Sequence, residues 1–243
     1  MDIAIKTDRG NIRTMNQDYI RFEKTNDNEA LIVLCDGMGG HNAGDVASRM
    51  TCDDIIQQYQ CRQPMDNDYE IEAWMKAMIN KAHQDVKECS QKSAEYEGMG
   101  TTVVLVYIRD GFAYISHVGD SRAYMIDEHL EQLTKDDSLV NILVDTGAIS
   151  IDDAPHHPQK NILLQAIGVG DILHISFCRV SLENQLMLCS DGLYNSLDDQ
   201  QMLDILKDKS SLENKVDKLV SEANIYGGND NISVVLISQE RIA

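Results

Sequence analysis

A chain of 243 residues with 43% apolar content is long enough to bury a substantial core, as one large domain or two small ones. Its 21 Lys+Arg against 40 Asp+Glu leave a formal charge of −19, which argues against binding to nucleic-acid phosphates or anionic membranes. No apolar run reaches the ~18 residues of a membrane span and no export-signal pattern is present, so a cytoplasmic location with no membrane insertion is expected.

In chain order, Ile3 to Thr7 and Tyr19 to Glu23 show the short alternation of strands, and the connection between them carries Arg13, Gln17 and Asp18. The run Leu31-Ile32-Val33-Leu34-Cys35 then ends in Asp36, with glycine at three of the next four positions. That pattern predicts a buried strand delivering a carboxylate into a tight turn. An unpaired buried carboxylate is costly, so Asp36 calls for a cation, and the Gly37 carbonyl offers a second oxygen; a plain Asp-Gly turn is the alternative. Helical spacing of Ala43, Val46, Ala47, Met50, Ile55 and Ile56 predicts a helix over 42–60, and Ile71, Trp74, Met75, Met78, Ile79, Ala82 and Val86 predict another over 69–92.

Three strands follow, over 101–108, 112–118 and 122–126. The tight links Arg109-Asp110-Gly111 and Gly119-Asp120-Ser121 predict antiparallel neighbours and exclude a βαβ sheet, with Asp120 in a hairpin turn. Between Thr134 and Gly170 the pattern loosens around a helix over 139–144, and His156-His157 read as surface or flap residues, since nothing nearby supplies ligand spacing. Segments 173–178 and 185–189 predict a further hairpin presenting Asp191. Helices over 198–207 and 212–224 precede the glycine-rich loop that delivers Asp230 to a last strand over 232–237. About ten antiparallel strands with two long central and two C-terminal helices make an α+β set, in a single domain over 1–243.

Asp36, Asp120, Asp191 and Asp230 therefore all sit at predicted strand ends beside glycine. Clusters of carboxylates with close backbone approach suit hard divalent cations such as Mg²⁺ and Mn²⁺. None of the six cysteines belongs to a CxxC pair, which fits a reducing compartment.

The ordered set Arg13…Asn16-Gln17-Asp18, Asp36-Gly37-Met38-Gly39-Gly40-His41, Gly98-Met99-Gly100-Thr101-Thr102, Gly119-Asp120-Ser121-Arg122, Ser190-Asp191-Gly192-Leu193 and Gly228-Asn229-Asp230-Asn231 resembles the metal-dependent serine/threonine protein phosphatases of type 2C (PPM), in their compact bacterial form. The resemblance implies a four-layer α-β-β-α sandwich, two antiparallel sheets flanked by helix pairs, with a flap-like insertion at about 139–168. It implies two Mn²⁺ or Mg²⁺ ions held by Asp36, Gly37, Asp191 and Asp230, a weaker third ion at Asp120 and Asp191, and Asp18 as an outer ligand. A metal-activated hydroxide would hydrolyse phosphoserine or phosphothreonine without a phosphoenzyme. Arg13 would grip the phosphate and His41 would donate a proton to the leaving group, making Arg13, Asp36 and His41 the catalytic candidates. No cysteine is followed six positions later by arginine, so phosphatase chemistry in this chain must use metal. The resemblance further implies phosphoprotein substrates, a Ser/Thr kinase among them, and a monomeric state.

Two positions depart from the family pattern: Asp137 stands where histidine is usual in Thr-x-Asp-His-Ser, and Gln165 where arginine is common. Gln17 replaces a frequent glutamate. The alternative function is a metal-binding module that recognises phosphoproteins without hydrolysing them. Such a relative would be expected to lack one of Asp36, Asp191 or Asp230, and all three are present.

Overall fold

A computed structural model describes residues 1–38 and 43–239. Among them are eleven strands in two antiparallel sheets. The first sheet has the order β1 (Asp2–Asp8), β11 (Ile232–Ser238), β10 (Gln185–Cys189), β7 (Arg122–Ile126), β8 (Leu130–Gln132). The second has the order β2 (Asp18–Asn26), β3 (Glu29–Met38), β5 (Val103–Arg109), β6 (Phe112–Val118), β9 (Ser176–Ser181), with the short β4 (Gly100–Thr101) against the end of β3.

Strand β3 shows why the sheets stack. Its alternate residues Ala30, Ile32 and Leu34 face Val235, Ile237, Leu186 and Leu188 of the other sheet, forming the core between sheets. Leu31, Val33 and Cys35 face the opposite way, onto α1 (Gly44–Gln60) and α2 (Asp68–Ser90). A strand buried on both faces loses the polar alternation of a surface strand, which is why Leu31 to Cys35 reads as one unbroken apolar run. On the far side, α5 (Asp199–Leu206) and α6 (Leu212–Ile225) cover the first sheet through Met202, Leu206, Val216 and Leu219, beside the one-turn α4 (Asp191–Tyr194). The result is the expected four-layer α-β-β-α sandwich.

Helix starts follow local chemistry. Asn67 caps α2 by accepting the Glu70 N–H at 3.0 Å, and Asp198 and Gln201 close a reciprocal capping box on α5. Helix α3 (Leu139–Asp145) opens the irregular region, which is tied back to the body by bridges Ser138↔Leu163 and Thr101↔Ile167. No helix among the described residues is long and apolar enough to cross a membrane.

Both connections expected as hairpins beyond β6 turn out to be crossings between sheets. The edge of β6 away from β5 is taken by β9, whereas β7 lies between β10 and β8 in the other sheet. Gly119, at φ +105°, turns the chain out of one layer toward the other, so Asp120 sits at a crossover and not in a hairpin turn. In the same way β9, starting at Ser176 and not at Leu173, pairs with β6, while β10 pairs with β7 and β11. A tight link serves a hairpin and a step between layers equally, and at β6 and β7 burial on both faces removes the pattern that would tell them apart.

Candidate active site

The predicted aspartates converge at one end of the sandwich. A cleft of about 240 Å³ is lined by Arg13, Gln17, Asp36, Gly37, Asp120, Asp191 and Asp230, with Thr102, Asn161 and Asn231 completing much of its wall. Asp36 comes from the sheet containing β3, while Asp120, Asp191 and Asp230 adjoin β7, β10 and β11 of the other sheet. The cleft therefore straddles the seam between sheets. His41 lies outside the described residues.

Local backbone geometry sets Asp36 rigidly. Its N–H is donated to Thr102 Oγ1 at 3.0 Å, and its carbonyl accepts both the Thr102 N–H at 2.9 Å and the Thr101 hydroxyl at 2.8 Å. Gly37 next to it donates its N–H to the Gln17 carbonyl at 3.1 Å. A Cβ at Gly37 would stand 2.2 Å from the Gly44 carbonyl oxygen, so only glycine allows α1 to begin this close to the strand end. Asp18 is directly opposite Asp36 in the β2–β3 register, a pairing of like charges that is unfavourable unless a cation intervenes.

Asp18 is 5% exposed. One carboxylate oxygen accepts the Ser190 hydroxyl at 2.7 Å, and the other is buried without a partner. Burial raises its pKa to about 6, against the opposing pull of the Ser190 hydrogen bond. Burial likewise pushes Asp36 well above the ordinary carboxylate range, reinforced by the charges of Asp18, Asp191, Asp120 and Asp230. Asp191 is driven the same way by burial and then by Asp120 and Asp230, and burial raises Asp120 to about 6. Carboxylates that disfavour one another's ionisation in this manner fit a site for divalent cations, whose charge reverses the balance.

Among the described residues no group of three His, Cys, Asp or Glu side chains is already placed to hold an ion. The carboxylates line the cleft walls instead, and Arg13 Nη2 occupies Asp230 Oδ2 at 2.7 Å. Arg13 is half exposed at the mouth, and its guanidinium is stabilised in the charged form first by the Asp230 hydrogen bond and also by the charges of Asp191 and Asp36.

Several residues that do not line up as ligands support the cleft from behind. Asn231 ties the Arg13 loop to the Asp230 loop: its Oδ1 accepts the Gln17 N–H at 2.8 Å, and its Nδ2 donates to the carbonyls of Arg9 and Met15 at 2.8 and 2.9 Å. Ser190 both donates to Asp18 and accepts the Ser233 N–H at 2.9 Å. Asn195, at the end of α4, donates to Asp191 Oδ2 at 3.1 Å and accepts from Lys160 of the irregular region at 3.4 Å. Asn231 and Ser190 adjoin predicted ligands, the only sequence signal that could have singled them out. The two family departures both do structural work. Asp137 accepts the Gly119 N–H at 2.8 Å and donates its own N–H to the Gly119 carbonyl at 2.9 Å, pinning the crossover that carries Asp120. Gln165 clamps the His174 backbone through both ends of its amide at 2.9 Å. His157 Nδ1 accepts the Gln159 N–H, consistent with a loop role.

Arg122 supports the same crossover. It binds Asp136 through two parallel contacts, Nε–Oδ1 at 3.0 Å and Nη2–Oδ2 at 2.7 Å, and lies 3.6 Å above the Tyr194 ring. The Tyr194 hydroxyl in turn donates to the Asp120 carbonyl at 3.1 Å.

A two-sheet sandwich flanked by helix pairs, with an acidic cleft and one arginine at the sheet seam, is an architecture this chain shares with known protein phosphatases. The family model for protein phosphatase 2C matches residues 11–225. The serine/threonine phosphatase stp of Listeria monocytogenes is 40% identical over 243 residues, covering 99% of this chain and 96% of the relative. The solved serine/threonine phosphatase of S. agalactiae superposes with a TM-score of 0.93 at 37% identity, covering 98% of this chain and 99% of that one. The catalytic domain of the serine/threonine protein phosphatase PstP, solved in complex with two manganese ions, superposes with a TM-score of 0.82 at 28% identity, covering 97% of this chain and 96% of that one. The chain belongs to the protein phosphatase 2C family, and it is a metal-dependent protein serine/threonine phosphatase acting on phosphoproteins.

Proposed function

We propose that this cleft holds two divalent cations, Mn²⁺ or Mg²⁺, through Asp36, the Gly37 carbonyl, Asp191 and Asp230, with Asp120 and Asp191 forming a weaker third site. The observation that carries the reading is the convergence of these carboxylates, each of the first three drawn from a different strand end, with the pKa values of Asp36, Asp191 and Asp120 raised by burial and mutual repulsion. Asp18, with one unpartnered buried oxygen behind Asp36, is an outer ligand. When bound, such ions supply a water nucleophile of lowered pKa at neutral pH and offset phosphoryl charge.

The protein's own groups do the rest. Arg13 pairs with Asp230 in the substrate-free cleft and swings its planar guanidinium onto two phosphoryl oxygens when a phosphoserine or phosphothreonine enters. Charge-assisted contact with those oxygens counters the charge spread over them in a loose transition state. Thr101 and Thr102 fix the Asp36 backbone so that its carboxylate stays in place through the reaction. His41 is the candidate donor of a proton to the departing side-chain oxygen. We further propose that the chain acts as a monomeric single domain with residues 139–168 as its flap, in the cytoplasm, on substrates that include a Ser/Thr kinase.

The test is phosphate release from a phosphothreonine peptide by chelator-stripped protein, with and without Mn²⁺, for the parent and Asp191→Asn. Release should require metal in the parent and be lost in the variant, because the change removes a ligand charge without removing core volume. Near-normal turnover by Asp191→Asn at saturating Mn²⁺ would refute the ligand assignment.

A further inference from the structure

The loop that carries Arg13, residues 9–17, joins β1 to β2, and its residues from Asn11 to Thr14 are exposed. The Arg13 side chain is held by its pair with Asp230, and both partners of that pair reach solvent. Exposed ion pairs hold weakly, and this one is given up when the guanidinium turns to a phosphoryl group. The loop therefore needs a second hold, independent of the Arg13 side chain, if the guanidinium is to stay within reach of the cleft.

Asn231 supplies that hold. It is 5% exposed, and its single amide bonds both limbs of the loop. On the near limb Nδ2 donates to the Arg9 carbonyl at 2.8 Å; on the far limb it donates to the Met15 carbonyl at 2.9 Å, and Oδ1 accepts the Gln17 N–H at 2.8 Å. Arg13 lies between these anchor points. Both donors of the amide are used, and in a site nearly closed to water the loss of either would strand a polar group. Asn231 is itself fixed from behind. Its N–H donates to Asp230 Oδ1 at 2.8 Å, β11 begins at the next residue, and a Cβ at Gly192 of α4 would stand 2.0 Å from its carbonyl oxygen.

We propose that Asn231 is the positioning residue for Arg13: it keeps the 9–17 loop in place while the guanidinium leaves Asp230 for the substrate phosphate. The proposal rests on the reading of Arg13 as the phosphate grip. All three side-chain bonds go to backbone groups, so Asn231 acts on Arg13 through the loop. Two adjacent residues thus serve the two halves of the site. Asp230 lines the cleft with a carboxylate, and Asn231 fixes the point from which the arginine extends, so the spacing between them is set by one peptide bond. Arg13 then begins each encounter with a phosphoryl group from an ordered loop.

The test is a double-mutant cycle on kcat/KM for a phosphothreonine peptide at saturating Mn²⁺, using the parent, Arg13→Ala, Asn231→Ala and the pair. Arg13→Ala should lower kcat/KM about tenfold or more. Asn231→Ala should lower it about threefold or more in the parent and by less than about twofold once Arg13 is gone. Asn231→Asp keeps the shape and the acceptor but turns a carboxylate toward two carbonyls, so it should be at least as impaired as Asn231→Ala. Amide hydrogen exchange of the chelator-stripped protein gives a readout without turnover: segment 9–17 should exchange faster in Asn231→Ala than in the parent. Asn231→Ser, whose hydroxyl can keep one of the three bonds, enters the cycle should Asn231→Ala fail to fold. Unchanged kcat/KM in Arg13→Ala would overturn the phosphate grip and this proposal with it. A normal loss in Arg13→Ala combined with an equal Asn231 effect in both backgrounds, parent-like activity of Asn231→Asp, or unchanged exchange in the loop would overturn the positioning role alone.

Discussion

Replacing Arg122 by methionine tests the support beneath Asp120. The methionine keeps an apolar side chain but removes the guanidinium that covers the Tyr194 ring, leaving Asp136, whose side chain is only 10% exposed, with the Gln132 amide as its remaining side-chain hydrogen-bond donor. Removing one partner of a buried pair costs about 3–5 kcal/mol, and the lost contact with the Tyr194 face adds about 1 kcal/mol. Arg122 is 22% exposed, so solvent returns part of this and a net loss of about 3 kcal/mol is expected. In a chain of this size such a loss lowers the melting temperature by about 6–12 °C. The paired variant Arg122→Met/Asp136→Leu should melt well above the sum of the two single losses, because the stranded carboxylate is gone. The expected functional signature is specific. Tyr194 loses its cover and holds the Asp120 carbonyl less firmly, so the half-activating Mn²⁺ concentration should rise several-fold while turnover at saturating metal changes little. Melting within about 2 °C of the parent, or strictly additive single losses, would refute the reasoning.

Arg13→Ala removes an exposed ion pair and should change stability by less than about 1 kcal/mol. Steady-state kinetics should show a higher KM for phosphopeptide together with half-activation at lower Mn²⁺, since Asp230 loses a competitor; a higher metal requirement would count against the proposed swing. Gly10, at φ +78°, lies so close to the Asp230 loop that an added Cβ would stand 2.1 Å from the Asp230 carbonyl oxygen. Gly10→Ala should therefore displace that loop and weaken activity at limiting Mn²⁺ by about tenfold or more, checked by metal titration.

His83 gives a pH prediction. It is buried, accepts the Gly168 N–H at Nδ1 over 3.0 Å, and has its pKa lowered first by burial and then by Lys87. Below its unfolded pKa of about 6.5 the unfolded chain binds a proton that the folded chain resists, so this contribution is present above that pH and is lost as pH falls. Thermal melts from pH 7.5 to 5 should fall more steeply for the parent than for His83→Gln, which keeps an acceptor and removes the titration.

The site was far more legible than the connections between its strands. Asp36, Asp191 and Asp230 announce themselves because an apolar run that stops at Asp-Gly, or starts after Gly-Gly-Asn-Asp, violates the ordinary rule for burying charge. Helices α1, α2, α5 and α6 were legible for the usual reason, a periodic buried stripe with breaks or caps at the ends. The crossings at Gly119–Ser121 and Ser181–Asn184 were not. Strands β6, β7 and β10 are buried on both faces while β9 is half exposed, and short polar links look alike whether they turn back within a layer or step across to the next. The roles of Asn231 and Ser190 were hidden for a different reason. Their hydrogen bonds reach Gln17 and Asp18, more than 170 positions away along the chain, a proximity that exists only once both sheets have closed.

The pairing of β1 with β11 ties activity to the closing of one sheet. Among the described residues β1 has β11 as its sheet neighbour, more than 220 positions away along the chain, and Asp230 enters immediately before β11. A chain from which β11 has come loose can keep the sheet around β3 and β5, yet it lacks both the partner of β1 and one wall of its cleft. Catalytic competence thus hangs on one long-range contact, so a molecule that has lost it is disarmed even where its second sheet persists.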